Sequence, residues 1–238
     1  MRGNKMDIYR KYRISPSLMC MDFLEIKKQL DIFVEEKIDY LHIDIMDGHY
    51  VPNFTLGVDF CNTVYSYSNI PLDIHLMIDN PENFIDDFSL FKNSIVSIHP
   101  DVYHHPVALL QKIRDRGIKS GIAVDPYLTV EQIYYLLPYV DQITIMTVNP
   151  GYAGQRLIEG MIEKIKKLVL IIDESGYRPD IEVDGNVSWE NLPSMLEAGG
   201  NVFVAGTSSI FKRGTDLREG IRRFRKILDD FKGGATEV

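Results

Sequence analysis

The chain has 238 residues, of which 45% are apolar and 25% charged, and this composition is that of a globular protein with a sizeable core. Its 26 basic and 34 acidic residues give a net charge of -8, which argues against a general nucleic-acid-binding surface, because such a surface is basic. No segment reads as a membrane span or a secretion signal, and the two cysteines are typical of reduced intracellular thiols. We therefore predict a cytoplasmic protein with neither nucleic acid nor membrane as a partner.

Short apolar runs rich in β-branched residues alternate with longer amphipathic runs along the whole chain. The short runs predict strands at 13–19, 40–46, 72–77, 94–99, 119–124, 142–148, 180–183 and 202–205. The amphipathic runs predict helices at 21–36, 59–67, 81–87, 107–116, 129–137, 157–175, 189–198 and 217–231. Such an alternation in a chain of this length predicts an α/β protein, a single (β/α)8 TIM barrel with a parallel eight-stranded core.

Turn residues support this arrangement. Gly117 and Gly176 follow predicted helices, where a left-handed C-cap favours glycine, and Pro81 and Pro106 stand where helices begin. The competing fold, an open doubly wound sheet, would normally carry a glycine-rich fingerprint after its first strand, and residues 15–20 contain no glycine. No linker interrupts the middle of the chain, so we predict one domain. Its predicted limits are 1–238, with an N-terminal extension at 1–12 and a flexible tail at 233–238.

Three of the predicted strands carry histidine or acidic residues near their C-terminal ends. His42 and Asp44 share one face of their strand because side chains alternate along a strand, and His75 and Asp184 have the same parity in two later strands. A lone histidine or aspartate at a strand end is more often a loop cap. Four residues of the right types at the right parity instead predict a site for one divalent cation, which could be zinc, iron, cobalt or manganese.

Other residues at these strand ends are expected to surround the cation site. The methionines predicted to line the pocket and exclude water are Met19, Met46, Met77 and Met146. Asp73 and Glu182 have the inward parity one layer deeper, so we expect each to have a hydrogen-bonding partner. Asp47 has the opposite parity and is interpreted as a loop cap, whereas His99 fits the pocket and the core equally well.

Three consecutive loops after the later strands are rich in small residues, and they span 149–155, 184–188 and 206–209. Small residues let the backbone approach an anion, and barrels often bind phosphate on backbone N–H groups after their last two strands. One such loop is a weak signal, but three in succession predict a phosphate-binding site.

From residue 14 to about residue 231, the sequence resembles the ribulose-phosphate 3-epimerase family. The resemblance is carried by Ser-Pro-Ser-Leu at 15–18, His-Ile-Asp-Ile-Met-Asp-Gly-His-Tyr-Val-Pro-Asn at 42–53, His-Leu-Met at 75–77, Met-Thr-Val-Asn-Pro-Gly-Tyr-Ala-Gly-Gln at 146–155 and Val-Asp-Gly at 183–185. Within the family, residues 15–22 and 206–208 resemble the allulose-6-phosphate 3-epimerase branch. The pentulose-phosphate enzymes more usually have Ser-Ala-Asp in the first loop, Gly-Ser-Ala in the last, and a second glycine at the position of Asn186.

The resemblance implies an isomerase, a metal-dependent 3-epimerase that inverts C3 of a ketose phosphate through an enediolate. It implies that His42, Asp44, His75 and Asp184 hold the cation and that the two aspartates also act as acid and base. Substrate contacts are implied for Ser17, His75, Gly151, Tyr152, Ala153, Gly154, Asp184, Gly185, Asn186, Gly206, Thr207 and Ser208. The expected reaction converts D-allulose 6-phosphate to D-fructose 6-phosphate, with D-ribulose 5-phosphate as the alternative substrate, and a homo-oligomer, a hexamer or a dimer, is expected.

Other functions share parts of this pattern. An aldolase that uses a Schiff base would need a lysine at a C-terminal strand end, but Lys119 begins its predicted strand at the opposite rim. A metal-dependent aldolase or decarboxylase of the same fold would share the cation ligands. A non-catalytic sugar-phosphate-binding barrel is less favoured, because all four predicted ligand residues are present.

Overall fold

The computed structural model describes residues 12–234, which build a curled nine-stranded sheet surrounded by helices. The strands are β1 (Arg13–Pro16), β2 (Leu41–Asp47), β3 (Phe54–Thr55), β4 (Leu72–Met77), β5 (Ile95–Ile98), β6 (Lys119–Val124), β7 (Gln142–Met146), β8 (Asp180–Asp184) and β9 (Val202–Ala205). Neighbouring strands pair in parallel, except that the short β3 runs antiparallel to the end of β2.

The sheet closes on itself between β1 and β2. On one side, β1 pairs in parallel with β9 along its whole length. On the other side, Ser17 forms a parallel bridge to His42, and the backbone N–H of Tyr40 donates to the carbonyl oxygen of Ile14 at 3.4 Å. The sheet is therefore a closed barrel, and the predicted fold is confirmed.

Helices follow most of the barrel strands. The α-helices of the described residues are α1 (Ile26–Glu35), α2 (Val58–Ser68), α3 (Pro106–Asp115), α4 (Met161–Ser175), α5 (Leu192–Glu197) and α6 (Leu217–Gly234). Two other predicted helices are 3₁₀ helices. The helix predicted at 81–87 consists of two short 3₁₀ helices, Pro81–Asn83 and Ile85–Phe88, and the one predicted at 129–137 is the 3₁₀ helix Val130–Tyr139. The last of these contains Pro138, whose ring and missing N–H oppose a regular α-helical turn. No helix within residues 12–234 is long and apolar enough to cross a membrane.

The first strand is shorter than its predicted range of 13–19. It ends at Pro16, and the next residues form a 3₁₀ turn, Leu18–Cys20, in which the N–H of Cys20 donates to the carbonyl oxygen of Ser17 at 3.0 Å. The placement of Met19 at a strand end was therefore wrong, because the chain turns before reaching it.

The ends of the predicted helices agree with their turn residues. Gly117 and Gly176 adopt φ of +74° and +79° directly after α3 and α4 end, which is the left-handed conformation expected of a C-cap glycine. Pro81 and Pro106 are the first residues of their helices. The local sequence thus fixes where these helices begin and end.

The C-terminal helix continues further than its predicted end at residue 231. Because α6 reaches Gly234, the first two residues of the predicted tail, 233 and 234, are helical. Three buried apolar side chains hold α6 against the barrel: Ile221, Phe224 and Leu228. Most of the predicted extension at 1–12 and the remaining tail at 235–238 lie outside the described residues, and the limits of the domain stay a prediction.

The two faces of the barrel strands differ in chemistry. On β4, Ile74 and Leu76 belong to the apolar core, whereas the alternating Asp73 and His75 are buried in a polar interior. Other fully buried polar residues of the barrel strands include Ser15, His42, Gln142, Thr144 and Glu182. Because buried polar groups need partners, this interior forms a hydrogen-bonded base beneath the strand ends.

Candidate active site and metal centre

The four predicted cation ligands come together at the C-terminal ends of three strands. His42 and Asp44 lie on β2, His75 on β4 and Asp184 on β8. His42 Nε2 is 3.3 Å from Asp44 Oδ1 and 3.8 Å from Asp184 Oδ2. His75 Nδ1 lies 3.5 Å and 3.8 Å from the same two oxygens. One ligand atom from each residue lies within 4.8 Å of the others, so the four can surround a single ion.

The chemistry of this cluster fits a divalent cation. Two imidazoles and two carboxylates form a donor set that zinc, iron, cobalt and manganese accept. His75 Nδ1 is buried and, among the described residues, makes no hydrogen bond to a protein group. A buried polar atom without a partner is costly, and this one faces two carboxylates. A cation at this position would give that nitrogen its missing partner.

The charges of the cluster are strongly coupled. Burial opposes ionisation of Asp44, but the attraction of His42 and its hydrogen bond to this carboxylate outweigh burial and hold the pKa of Asp44 well below its usual range. Burial raises the pKa of Asp184 to about 7, and the nearby charge of Asp44 adds to that rise. Burial also disfavours the charged form of His42, yet Asp44 and Asp73 together raise its pKa. A bound cation would have to replace the protons that this cluster otherwise holds.

The two deeper carboxylates both have partners, as expected. Asp73 Oδ2 accepts from Ser15 Oγ at 2.9 Å and lies 2.7 Å from His42 Nδ1. Gln142 joins the two carboxylates, because its Nε2 donates to Asp73 at 3.0 Å and to Glu182 at 3.1 Å. Asp73 therefore holds the ring of His42 so that its other nitrogen faces the cluster.

Several other histidines and acidic residues are now placed. Asp47 caps a loop, because its Oδ1 accepts the backbone N–H groups of His49 and Tyr50 at 2.8 and 3.2 Å. His99 is fully buried and contacts His75, with 2.8 Å between their Nε2 atoms. Sequence reasoning missed Tyr50 and Asp125, which contact the other side of His99. Asp125 directly follows a strand, and Tyr50 lies in the 42–53 motif, but neither position indicated a contact with His99.

A cleft opens above the cluster. All of the predicted substrate-contact residues line it except His75, which lies in the cluster below. The four predicted methionines also line it: Met46, Met77 and Met146 are buried, and Met19 reaches it from its 3₁₀ turn. Ser17 Oγ donates to Asp44 Oδ2 at 3.1 Å, which connects the wall of the cleft to the cluster.

The far wall of the cleft is built from the three small-residue loops. Gly185 has φ of +114°, and a Cβ at this position would lie 2.6 Å from Val148 Cγ2, so only glycine fits there. No lysine or arginine is found among the described residues that line the cleft. An anion bound against this wall would therefore depend on backbone N–H groups and hydroxyls.

Asn186 links two of these loops. It has φ of +45°, and its Nδ2 donates to the carbonyl oxygen of Gln155 at 2.5 Å. Its Oδ1 accepts from Asn191 Nδ2 at 2.7 Å. The Tyr152 hydroxyl donates to the carbonyl oxygen of Pro52, so this side chain connects the same wall to the loop after β2.

Comparisons with known proteins agree with this fold. A mutant tryptophan synthase alpha-subunit from Pyrococcus furiosus superposes with a TM-score of 0.67, covering 93% of this chain and 100% of that one; at 15% identity this likeness shows the fold alone. The ribulose-phosphate 3-epimerase of Helicobacter pylori is 40% identical over 219 residues, which are 91% of this chain and 99% of that protein. The Bacillus subtilis protein of the same name is 36% identical over 214 residues, or 90% of this chain and 98% of that protein. The profile of the ribulose-phosphate 3 epimerase family matches residues 13–211.

The chain belongs to the ribulose-phosphate 3-epimerase family. It is thus an isomerase, an epimerase that acts on carbohydrates, and a divalent cation is its cofactor. This membership favours epimerisation over the aldolase, decarboxylase and non-catalytic alternatives. The named relatives are ribulose-phosphate 3-epimerases, so they favour the pentulose-phosphate alternative. They do not specifically show the allulose-6-phosphate branch.

Proposed function

We propose that this member of the ribulose-phosphate 3-epimerase family interconverts D-ribulose 5-phosphate and D-xylulose 5-phosphate, with Asp44 and Asp184 as the acid and base. One observation carries the proposal: both carboxylates lie close to the same two imidazole nitrogens, those of His42 and His75. Asp44 reaches them from β2 and Asp184 from β8, and β1 and β9 lie between these two strands. Two carboxylates that reach one point from different strands can serve opposite faces of a carbon held between them.

The reaction requires removal of the proton on C3 and its return on the opposite face. A bound divalent cation would supply Lewis-acid stabilisation of the negative charge that develops on the substrate oxygens. In one direction Asp44 accepts the C3 proton, and Asp184 donates a proton to the other face. Positioned proton transfer of this kind contributes on the order of 10²–10⁴-fold to the rate.

Other side chains prepare the two aspartates for this role. Ser17 Oγ donates to Asp44 Oδ2, which orients the carboxylate and leaves its other oxygen beside His42 and His75. The side chain of Asp184 is 15% exposed and that of Asp44 is 6% exposed, so both reach the base of the cleft while staying largely out of solvent. The buried methionines around them limit the access of water to a reacting carbon.

The phosphate group of the substrate is assigned to the far wall of the cleft. Its three loops present small residues and no basic side chain, which suits binding through backbone N–H groups. We include Gly151 to Gly154, Gly185 with Asn186, and Gly206 to Ser208 in this wall. A homo-oligomer, a hexamer or a dimer, and a cytoplasmic location also remain predictions.

D-Allulose 6-phosphate is the second candidate substrate. It is favoured by the first loop at 15–22, by the last loop at 206–208, and by Asn186 where the pentulose-phosphate enzymes more usually have glycine. The side chain of Asn186 is hydrogen-bonded to Gln155 and Asn191, so it helps to fix the shape of the wall assigned to phosphate. The two sugars differ by one carbon between the reacting centre and the phosphate, so the position of that wall decides between them.

An NMR assay of C3 inversion on both sugar phosphates, with and without a chelator, tests the proposal. We expect inversion of both substrates to be lost with the chelator and restored by adding a divalent cation. We expect kcat/KM to be higher for D-ribulose 5-phosphate. A higher value for D-allulose 6-phosphate would favour the second candidate, and full activity after complete cation removal would contradict the metal-dependent mechanism.

A further inference from the structure

His75 has a buried neighbour on the side that faces away from the other cation ligands. Its Nε2 lies 2.8 Å from His99 Nε2, and the two rings stack with centroids 4.9 Å apart. His99 Nδ1 in turn lies 2.8 Å from the Tyr50 hydroxyl and 3.2 Å from Asp125 Oδ1. The Tyr50 hydroxyl donates to Asp125 Oδ2 at 2.8 Å. Both imidazoles are fully buried, so water does not replace these contacts.

The direction of every hydrogen bond in the series from Asp125 through Tyr50 and His99 to His75 follows from the carboxylate at its end. An ionised carboxylate only accepts, so Tyr50 gives its single proton to Asp125 and can only accept from His99. The proton of a neutral His99 therefore lies on Nδ1, and its Nε2 is an acceptor. His75 must then donate from Nε2, which leaves its Nδ1 without a proton.

This unprotonated Nδ1 is the same buried atom that has no hydrogen-bonding partner and that faces Asp44 and Asp184. The other imidazole of the cluster is arranged differently. His42 turns Nε2 toward the cluster, and its Nδ1 is held directly by the carboxylate of Asp73 at 2.7 Å. The two imidazoles thus offer different nitrogen atoms, and only His42 has a carboxylate as its immediate support.

We propose that His99, supported by Tyr50 and Asp125, is a positioning residue that fixes the tautomer of His75 so that Nδ1 becomes the cation ligand. The inference rests on the proposed cation site. Partners that hold the second nitrogen of a metal-binding histidine typically change metal affinity by about 10–100-fold when removed. His99 would transmit the support of Asp125 to His75, because it contacts both residues.

Binding of Zn²⁺ to the metal-free full-length protein, measured by competition with a chelating dye, tests this assignment. His99→Leu removes both nitrogens at similar size, and we expect its Kd for Zn²⁺ to rise by about 10–100-fold. His99→Gln keeps an oxygen that accepts from His75 and an amide that donates toward Tyr50, so we expect its Kd to stay within about fivefold of wild type. His104→Leu, which changes an exposed histidine in the same way, should bind like wild type.

The wild-type protein provides a readout that does not depend on whether a variant folds. In its Zn²⁺ complex, ¹⁵N NMR should show His75 bound through Nδ1 with a proton on Nε2, and His99 protonated on Nδ1. Zinc on His75 Nε2 would overturn the inference, as would equal Zn²⁺ affinities for His99→Leu, His99→Gln and wild type. Equal weakening by His99→Leu and His99→Gln would also overturn it. Failure of the wild-type protein to bind Zn²⁺ at all would instead contradict the proposed cation site.

Discussion

The two sides of the barrel mouth are built by different means. On the side of β2, β4, β5 and β6, the mouth is built from buried polar side chains. His42, His75 and His99 each have a polar neighbour within 2.8 Å. On the side of β7, β8 and β9, loops with small residues form the wall, and among residues 12–234 Asp184 is the one on this side that joins the cluster.

This difference matches the charges that each side would hold. A cation needs lone pairs, which imidazole and carboxylate groups provide only when their orientation and protonation are fixed by neighbours. An anion needs N–H donors, which the backbone already has in any loop that can approach closely enough. The first task therefore depends on buried side chains, and the second depends on backbone conformation.

Replacing Asp184 tests the point where the two sides meet. We expect Asp184→Asn to lower kcat for epimerisation by on the order of 10³-fold, because one face of C3 loses its proton donor. Exchange of the C3 proton with D₂O, followed by NMR, should persist on the face served by Asp44. The exposed Asp115→Asn serves as a matched control with normal turnover. Near-wild-type turnover in Asp184→Asn would refute the two-aspartate scheme.

The side-chain half of the comparison is tested by Asp73→Asn. This change keeps the shape of the side chain but removes the charge that holds His42 Nδ1 at 2.7 Å. We expect the Kd for Zn²⁺ to rise by about 10–100-fold, measured by chelator competition. Unchanged cation affinity together with unchanged turnover would mean that Asp73 has no part in supporting the site.

The backbone half is tested by Gly185→Ala. The new methyl group would meet Val148 at 2.6 Å at a φ of +114°, so the loop must move or strain. We expect kcat/KM to fall by about 10–100-fold through misplacement of the phosphate, and the free energy of unfolding to fall by about 1–3 kcal/mol. Gly214→Ala, at φ of +82° with no atom within 4 Å of the added carbon, separates backbone strain from the clash. Equal effects of the two substitutions on kcat/KM would argue against a role for the Gly185 loop.

The smallest effect is expected from Asn186→Gly. It keeps the left-handed backbone accessible but removes the hydrogen bonds to Gln155 and Asn191, each worth about 1 kcal/mol. We expect KM for the sugar phosphate to rise by about 3–10-fold with kcat nearly unchanged. Asn69→Gly, at a φ of +54° after α2, is the matched control. A fall in kcat without a change in KM would place Asn186 outside the phosphate wall.

The sequence allowed the cation cluster to be predicted because it depends on a short-range rule. His42 and Asp44 are two residues apart on one strand, and the barrel brings the equivalent positions of other strands to the same rim. The same rule placed Asp73 and Glu182 in the layer beneath. Helix ends with glycine or proline were equally predictable, because one residue determines the local conformation.

The support behind His75 could not be predicted in this way. Tyr50 lies in the loop after β2 and Asp125 directly follows β6, and they meet at His99 only because of the path that these loops take. The prediction that Met19 ends a strand was wrong for a related reason, because the turn at Leu18–Cys20 interrupts the strand periodicity. Periodicity describes regular elements and carries no information about where loops bring side chains together.

The closure of the sheet has a mechanical consequence. The strand that completes the ring, β1, is short and meets β2 at the Ser17–His42 bridge, directly beside the four-residue cluster. β1 and β9 lie between β2 and β8 in the barrel. An ion held by residues of both β2 and β8 would therefore link the two strands that flank this pair. Stripping the ion should therefore speed amide hydrogen exchange in β1 and β9 before it does so in β5 or β6.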